Sequence, residues 1–364
     1  MRVESLTFLR FLAAILVVFF HYGNNTALGG GLKSLISLGP QMVTFFFTLS
    51  GFVLAIAYLN KKQYKLFDFY IARIARIAPI YMLALFFVFY SSYGGGINDL
   101  YALLLNISFL QTWVPPYALS FNSPGWSLSV EMFFYLTFPA VLFLIKERRV
   151  SEGFFVFFSV FIYILTQVTL SSLLNSDFYQ GWPSESHDLI YYLPLSHYCS
   201  FLLGISGGLL YVRSKLRFNY EFRTLAMISF VLFITYYSLT NAKIFIDIFD
   251  APLAFGGSFY SIFFVVLIFV IAVSNNFVTR LLSKPVFVLL GEASYSIYIL
   301  QMPFYYFYSK YLSKSLNLNP ELNFYTYMIS LVVLSVITFK VIEVPSRKLI
   351  MKFSLHRRNV VLAK

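Results

Sequence analysis

Stretches of roughly twenty consecutive apolar residues, each long enough to cross a hydrocarbon layer about 30 Å thick, recur from Leu6 to Ile342 with only short breaks between them. A soluble fold cannot hide so many uniformly apolar helices. Only 12% of the 364 residues are charged and 59% are hydrophobic, against about 25% charged in an ordinary globular chain. In lipid a segment must satisfy its own backbone hydrogen bonds, so the chain is expected to be an all-α integral membrane protein. Candidate spans fall at roughly 4–22, 38–59, 74–92, 125–145, 153–173, 197–212, 222–239, 257–274, 286–309 and 323–342, about ten in all. Residues 1–22 share the apolarity of a signal peptide. The run is long, however, holds Arg10 inside it and is followed by more spans, so it reads as the first membrane helix. No window is left for a sizeable soluble domain, which leaves one transmembrane domain over 1–345 and a short basic tail over 346–364.

The net charge of +12 does not point to nucleic acid, because Lys and Arg sit in short clusters between apolar spans, where positive loops orient a membrane protein. The clusters are Lys61, Lys62 and Lys65 running to Arg73 and Arg76; Lys146, Arg148 and Arg149; Arg213, Lys215, Arg217 and Arg223; Arg280 and Lys284; and Arg347, Lys348, Lys352, Arg357 and Arg358. They alternate with basic-poor loops at 23–37, 93–124, 174–196, 240–256 and 310–322, so both termini are expected in the cytoplasm. The apolar run from Leu100 to Trp113 is only about 14 residues long and lacks basic flanks, which makes it a re-entrant or interfacial segment. The single cysteine, Cys199, excludes an intramolecular disulfide and a multi-cysteine metal site, and no metal is expected. No duplicated half with matching motifs is visible, which weakens an inverted-repeat transporter reading.

An ionisable side chain at membrane depth costs several kcal/mol unless it meets a partner or a water-filled cavity, so each is a functional candidate. Arg10 and His21 lie on the first span eleven positions apart, about three turns, which puts both on one face and separates them by roughly 16 Å along the axis. Arg10 falls near mid-membrane and is too deep to snorkel easily. His21 falls near the outer mouth, and Glu131, a turn or two into its span, falls at similar depth. Ser127 and Ser129 flank Glu131; either could orient the carboxylate or a substrate, or simply bond the backbone. Arg73 and Arg76, three apart, share a helix face at the cytoplasmic boundary, where they form either a phosphate fork or a plain positive anchor. Glu343, Pro345, Arg347 and Lys348 read mainly as a stop and a basic anchor.

In this order, these features resemble the membrane acyltransferase-3 family of bacterial O-acyltransferases. The carriers are Leu9-Arg10-Phe11-Leu12-Ala13-Ala14 leading to His21; Phe46-Phe47-Thr48-Leu49-Ser50-Gly51-Phe52-Val53-Leu54; Arg73 to Arg76 followed by Pro79 and Tyr81; Pro124-Gly125-Trp126-Ser127-Leu128-Ser129-Val130-Glu131 continuing to Phe134-Tyr135; Leu290-Gly291-Glu292-Ala293-Ser294-Tyr295-Ser296-Ile297-Tyr298; and Glu343-Val344-Pro345-Ser346-Arg347. The match covers nearly the whole chain. Met132 and Phe133 replace a polar pair often seen after the glutamate, and Gln301 stands where many relatives carry a histidine, which counts against a late-histidine role here.

The resemblance implies a ten-helix, multi-pass enzyme of the bacterial cytoplasmic (inner) membrane. It would take an acyl group, usually acetyl from acetyl-coenzyme A as donor substrate, on the inner side and deliver it to a hydroxyl of a cell-envelope carbohydrate such as O-antigen, capsule or exopolysaccharide. No permanently bound cofactor is implied. Arg73 and Arg76 would hold coenzyme A phosphates. His21 would act as general base on the acceptor hydroxyl, with Glu131 orienting the imidazole. Arg10 would stabilise the thioester carbonyl or its oxyanion, or simply keep the acyl path hydrated. Direct transfer and an acyl-histidine relay both remain open. Ser127, Ser129, Trp126 and Trp182 are the expected substrate contacts. Trp182 sits in the longest outer loop with Asp177, Glu185, His187 and Asp188, a composition that suits a sugar or an interfacial anchor. Some family members append a soluble esterase-like domain; with about twenty residues after the last span, none is expected here. The rival reading is a transporter or flippase for an envelope lipid-linked sugar, which also needs intramembrane Arg, His and Glu but no cytoplasmic Arg pair.

Overall fold

A computed structural model describes residues 3–23, 26, 33–92, 94, 96–214 and 216–362, with side chains as far as residue 353. Most of the loop at 23–37, together with Lys215 and the side chains of Arg357 and Arg358, lies outside the described residues. Helices α1 (Ser5–Tyr22), α2 (Gly39–Leu59), α3 (Leu66–Ser92), α4 (Ile97–Ile107), α5 (Trp126–Lys146), α6 (Glu152–Leu174), α7 (Glu185–Tyr191), α8 (Pro194–Ser214), α9 (Glu221–Thr240), α10 (Ser261–Val273), α11 (Pro285–Phe307), α12 (Pro320–Thr338) and α13 (Val344–Leu362) carry the fold. Their starts follow from local chemistry. Ser151 accepts from the Phe154 amide ahead of α6, Asn319 accepts from the Leu322 amide ahead of α12, and Pro285 and Pro320 occupy first-turn positions where a missing N–H costs nothing.

Nine helices among the described residues are long and apolar enough to cross a membrane. The expected tenth span, 257–274, forms only the 13-residue α10, about 20 Å at 1.5 Å per residue and therefore short of a full crossing on its own. The sequence is apolar throughout this stretch, so hydropathy could not see that residues 255–260 are spent on turns. Two other expectations need extending. Helix α3 begins eight residues before the expected 74, and the last span does not stop near 342, because a π-helical turn at Phe339–Glu343 passes α12 directly into α13. The apolar run after Leu100 forms the short α4 and a 3-10 turn at Gln111–Trp113; Ala102, Leu105 and Asn106 face inward while Leu100, Leu104 and Ile107 are exposed.

Apolar side chains gain little by meeting one another in lipid, so close backbone approach and interhelical hydrogen bonds hold such a bundle. Glycines permit that approach. A Cβ on Gly204 of α8 would lie 2.0 Å from the Thr48 carbonyl of α2, and one on Gly291 of α11 would lie 2.0 Å from the Thr7 carbonyl of α1. These contacts lock α2 onto α8 and α1 onto α11, and α1 also packs on α2. Gly204→Val must push two helix backbones apart. We expect a loss of at least 1–3 kcal/mol, on the scale of overpacked cores, visible as a lowered midpoint of thermal unfolding in detergent.

Candidate active site

Two cavities among the described residues, set between helices locked in this way, bear on the site. The first, of about 400 Å³, is lined from α1, α2, α3, α5 and α11 and by the π turn, and it gathers Arg10, Arg73, Arg76, Glu131, Glu292, Glu343 and Arg347. The second, of about 310 Å³, holds His21 at the end of α1, with Pro124, Trp126, His187, Tyr191 and Tyr192. Val43 and Tyr298 line both.

Glu131 is the centre of the first cavity. It accepts a short hydrogen bond from the Tyr135 hydroxyl, one turn further along α5, and a second at 3.3 Å from Ser50 on α2. The guanidiniums of Arg10 and Arg76 lie within electrostatic reach of both Glu131 and Glu343, so the cationic groups on α1 and α3 are balanced by carboxylates on α5 and the π turn. Glu343 is buried and is met by the Ser296 hydroxyl at 3.4 Å. Arg73 rests against the rings of Tyr135 and Phe69, with centroids at 5.7 and 5.9 Å, and its Nε is buried with no hydrogen-bond partner among the described residues. A buried donor of this kind is costly unless an acceptor, such as a ligand or water, completes it.

The second cavity is aromatic. Trp126 packs against Tyr192 and His197 at centroid distances of 5.0 and 5.3 Å. His187 lies 4.5 Å from the Tyr191 ring and 5.0 Å, edge to face, from Trp182, while its Nδ1 is 3.8 Å from Asp188 Oδ1. Trp182 is 61% exposed, so most of its indole remains free above His187.

Set against the sequence expectations, Arg10, Arg73, Arg76, Glu131 and Ser127 come together in the first cavity, and His21 and Trp126 in the second. Trp182 stands beside the second cavity through His187. Two placements differ from expectation. Glu131 was expected to orient His21, but its hydrogen bonds go to Ser50 and Tyr135, and the two residues line different cavities. Depth along two helices fixes height, not lateral separation. Ser129 lines neither cavity; its hydroxyl bonds the Phe109 carbonyl and Thr112, both at 2.6 Å, and so fastens the segment before α5. Ser127 donates to the Pro124 carbonyl at 3.0 Å and reaches the first cavity. The stretch expected as a stop and anchor instead sends Glu343 and Arg347 into that cavity. Sequence reasoning assigned no role to Ser50 or Tyr135, although Tyr135, four residues after Glu131, carried the signal of a helical neighbour.

The acyltransferase domain model, Acyl_transf_3, matches residues 3–340. Among curated proteins, the acyltransferase MdmB of Streptomyces mycarofaciens is 32% identical over 166 residues, 42% of each chain. A protein of Staphylococcus aureus strain COL, provisionally named an O-acetyltransferase, is 23% identical over 95% of this chain and 57% of its own. The Bacillus subtilis protein YrhL, provisionally named a peptidoglycan O-acetyltransferase, is 25% identical over 83% of this chain and 48% of its own. The chain spans about half the length of the curated relatives it matches. No solved structure matches it significantly.

Proposed function

From the premise that this chain belongs to the acyltransferase-3 family, we propose that it moves an acyl group, acetyl in the simplest case, from acyl-coenzyme A in the first cavity to a hydroxyl of a cell-envelope carbohydrate in the second. The observation that carries the reading is the pairing of an arginine-rich chamber with a neighbouring histidine-bearing aromatic one. Guanidiniums bind phosphates through paired, charge-assisted donors, and the unpartnered Arg73 Nε is a donor in need of such an acceptor. Arg73 and Arg76 therefore hold the donor's phosphates, and Arg10, deeper on α1, faces the thioester carbonyl. Aromatic faces with a free indole edge suit the apolar face of a sugar ring, which assigns Trp126 and Trp182 to the acceptor. The protein sits in the bacterial cytoplasmic membrane with both termini inside, as the basic clusters direct, so the first cavity takes its donor from the cytoplasm and the second opens outward.

In the transfer step His21 takes the proton of the acceptor hydroxyl, whose oxygen attacks the thioester carbonyl. Arg10 stabilises the oxyanion. The C–S bond then breaks, coenzyme A leaves as a thiolate that takes up a proton from water, and His21 gives up its proton to water, so that ester and thiol are the net products. Glu131, clamped by Tyr135 and Ser50, holds Arg10 and Arg76 in place rather than acting on His21.

Titration of the purified protein with acetyl-coenzyme A by calorimetry tests the donor assignment. Arg73→Ala is expected to weaken binding at least tenfold, the equivalent of a charge-assisted hydrogen bond of about 1.5–3 kcal/mol. Arg73→Lys is expected to recover only part, since an ammonium lacks the planar fork. Absence of any binding by the wild-type protein would remove the donor assignment.

A further inference from the structure

The two cavities meet at one aromatic side chain. Tyr298 on α11 is 7% exposed and lines both of them, as does Val43 on α2. Its ring meets Phe46 edge to face at 5.8 Å, and its hydroxyl lies beside the side chain of Ser127 on α5. Ser127 faces the first cavity and bonds the carbonyl of Pro124, which faces the second. Tyr298 thus stands between α2 and α5 where the two cavities adjoin.

We propose that Tyr298 is the partition between the donor and acceptor chambers and that it restricts the transferred group to short acyl chains. The chain-length part rests on the acyltransferase reading above; the partition itself does not. An acetyl group extends one carbon beyond the carbonyl and fits short of the ring. Each further methylene directs the chain toward Tyr298 and Phe46, whose displacement would break their edge-to-face contact and move Tyr298 away from Ser127.

Two experiments separate the parts. In the first, the lone buried cysteine is removed by Cys199→Ala, and a reporter is placed in the first cavity by Ser50→Cys or in the second by Ser123→Cys. A membrane-impermeant cationic thiosulfonate is then applied to each face of sealed vesicles. With Tyr298 intact, each reporter is expected to react from one face, and from opposite faces. Tyr298→Ala is expected to let the reagent reach Ser50→Cys from the Ser123 side at least ten times faster, and Tyr298→Phe to keep it out. Tyr298→Leu serves if the alanine variant does not accumulate as folded protein. Ser50→Cys reacting equally from both faces with Tyr298 present, or unchanged protection in Tyr298→Ala and Tyr298→Leu, overturns the partition.

In the second experiment, donors from acetyl- to hexanoyl-coenzyme A are compared. The ratio of kcat/KM for hexanoyl to acetyl is expected to rise at least tenfold in Tyr298→Ala. An unchanged ratio overturns the chain-length role. Absence of transfer from every donor in the wild type, alongside the expected labelling, defeats the acyltransferase reading and its chain-length corollary while leaving the partition in place.

Discussion

His21→Ala is expected to lower acyl transfer by about 10²- to 10⁴-fold, the usual contribution of a positioned general base, while leaving the affinity for acetyl-coenzyme A within about twofold. The split follows from the geometry, since His21 lines the second cavity and the arginines assigned to the donor line the first. A loss of donor binding equal to the loss of turnover would mean that the two cavities do not divide the work. A His21→Gln variant, which keeps a hydrogen-bonding side chain of similar reach but cannot accept and hold a proton near neutrality, is expected to be as inactive as the alanine variant.

Glu131→Leu is expected to destabilise the fold as well as abolish turnover. The carboxylate accepts from Tyr135 and Ser50 and lies within electrostatic reach of Arg10 and Arg76, so its removal leaves two hydroxyl donors short of an acceptor and two cations short of a counter-charge. Removing one side of a fully buried ion pair costs about 3–5 kcal/mol. Glu131 is only partly buried and its cavity admits water, so a loss of about 1–3 kcal/mol is the better expectation. Adding Arg10→Leu to Glu131→Leu removes one uncompensated charge and should restore part of the stability without restoring transfer. If the double variant is less stable than the single by the full cost of Arg10→Leu measured alone, the two residues are not coupled, and Glu131 does not hold Arg10.

The helical architecture was readable because hydropathy is a one-dimensional property. Eight of the expected spans begin or end within a few residues of α1, α2, α5, α6, α8, α9, α11 and α12. It misjudged α10, where an apolar run is partly turn, and the end of α12, where a π turn lets the helix continue past Glu343. Within the site, Arg10 and Glu131 announced themselves because charge at membrane depth demands a partner, and Arg73 and Arg76 because a spacing of three puts both on one helix face. Which partner each would find was not readable. The pairing of Glu131 with His21 rested on equal height and on the family resemblance, and nothing in the spacing of α1 and α5 reports that Tyr298 and Val43 line both of the cavities to which the two residues belong. Ser50 and Tyr298 are ordinary residues in apolar runs; only the folding of α2 and α11 against α1 and α5 gives them a position in the site.

The central claim is that this protein places acyl groups on envelope carbohydrate, and the O-acetyl content of surface polysaccharide measured by NMR tests it most directly. Cells expressing the wild-type protein should be compared with cells expressing His21→Ala at matched membrane levels. Acetyl resonances that appear with the wild type and vanish with His21→Ala are the predicted result; a polysaccharide fraction identical in both, with no acyl group added by the wild type, would contradict it.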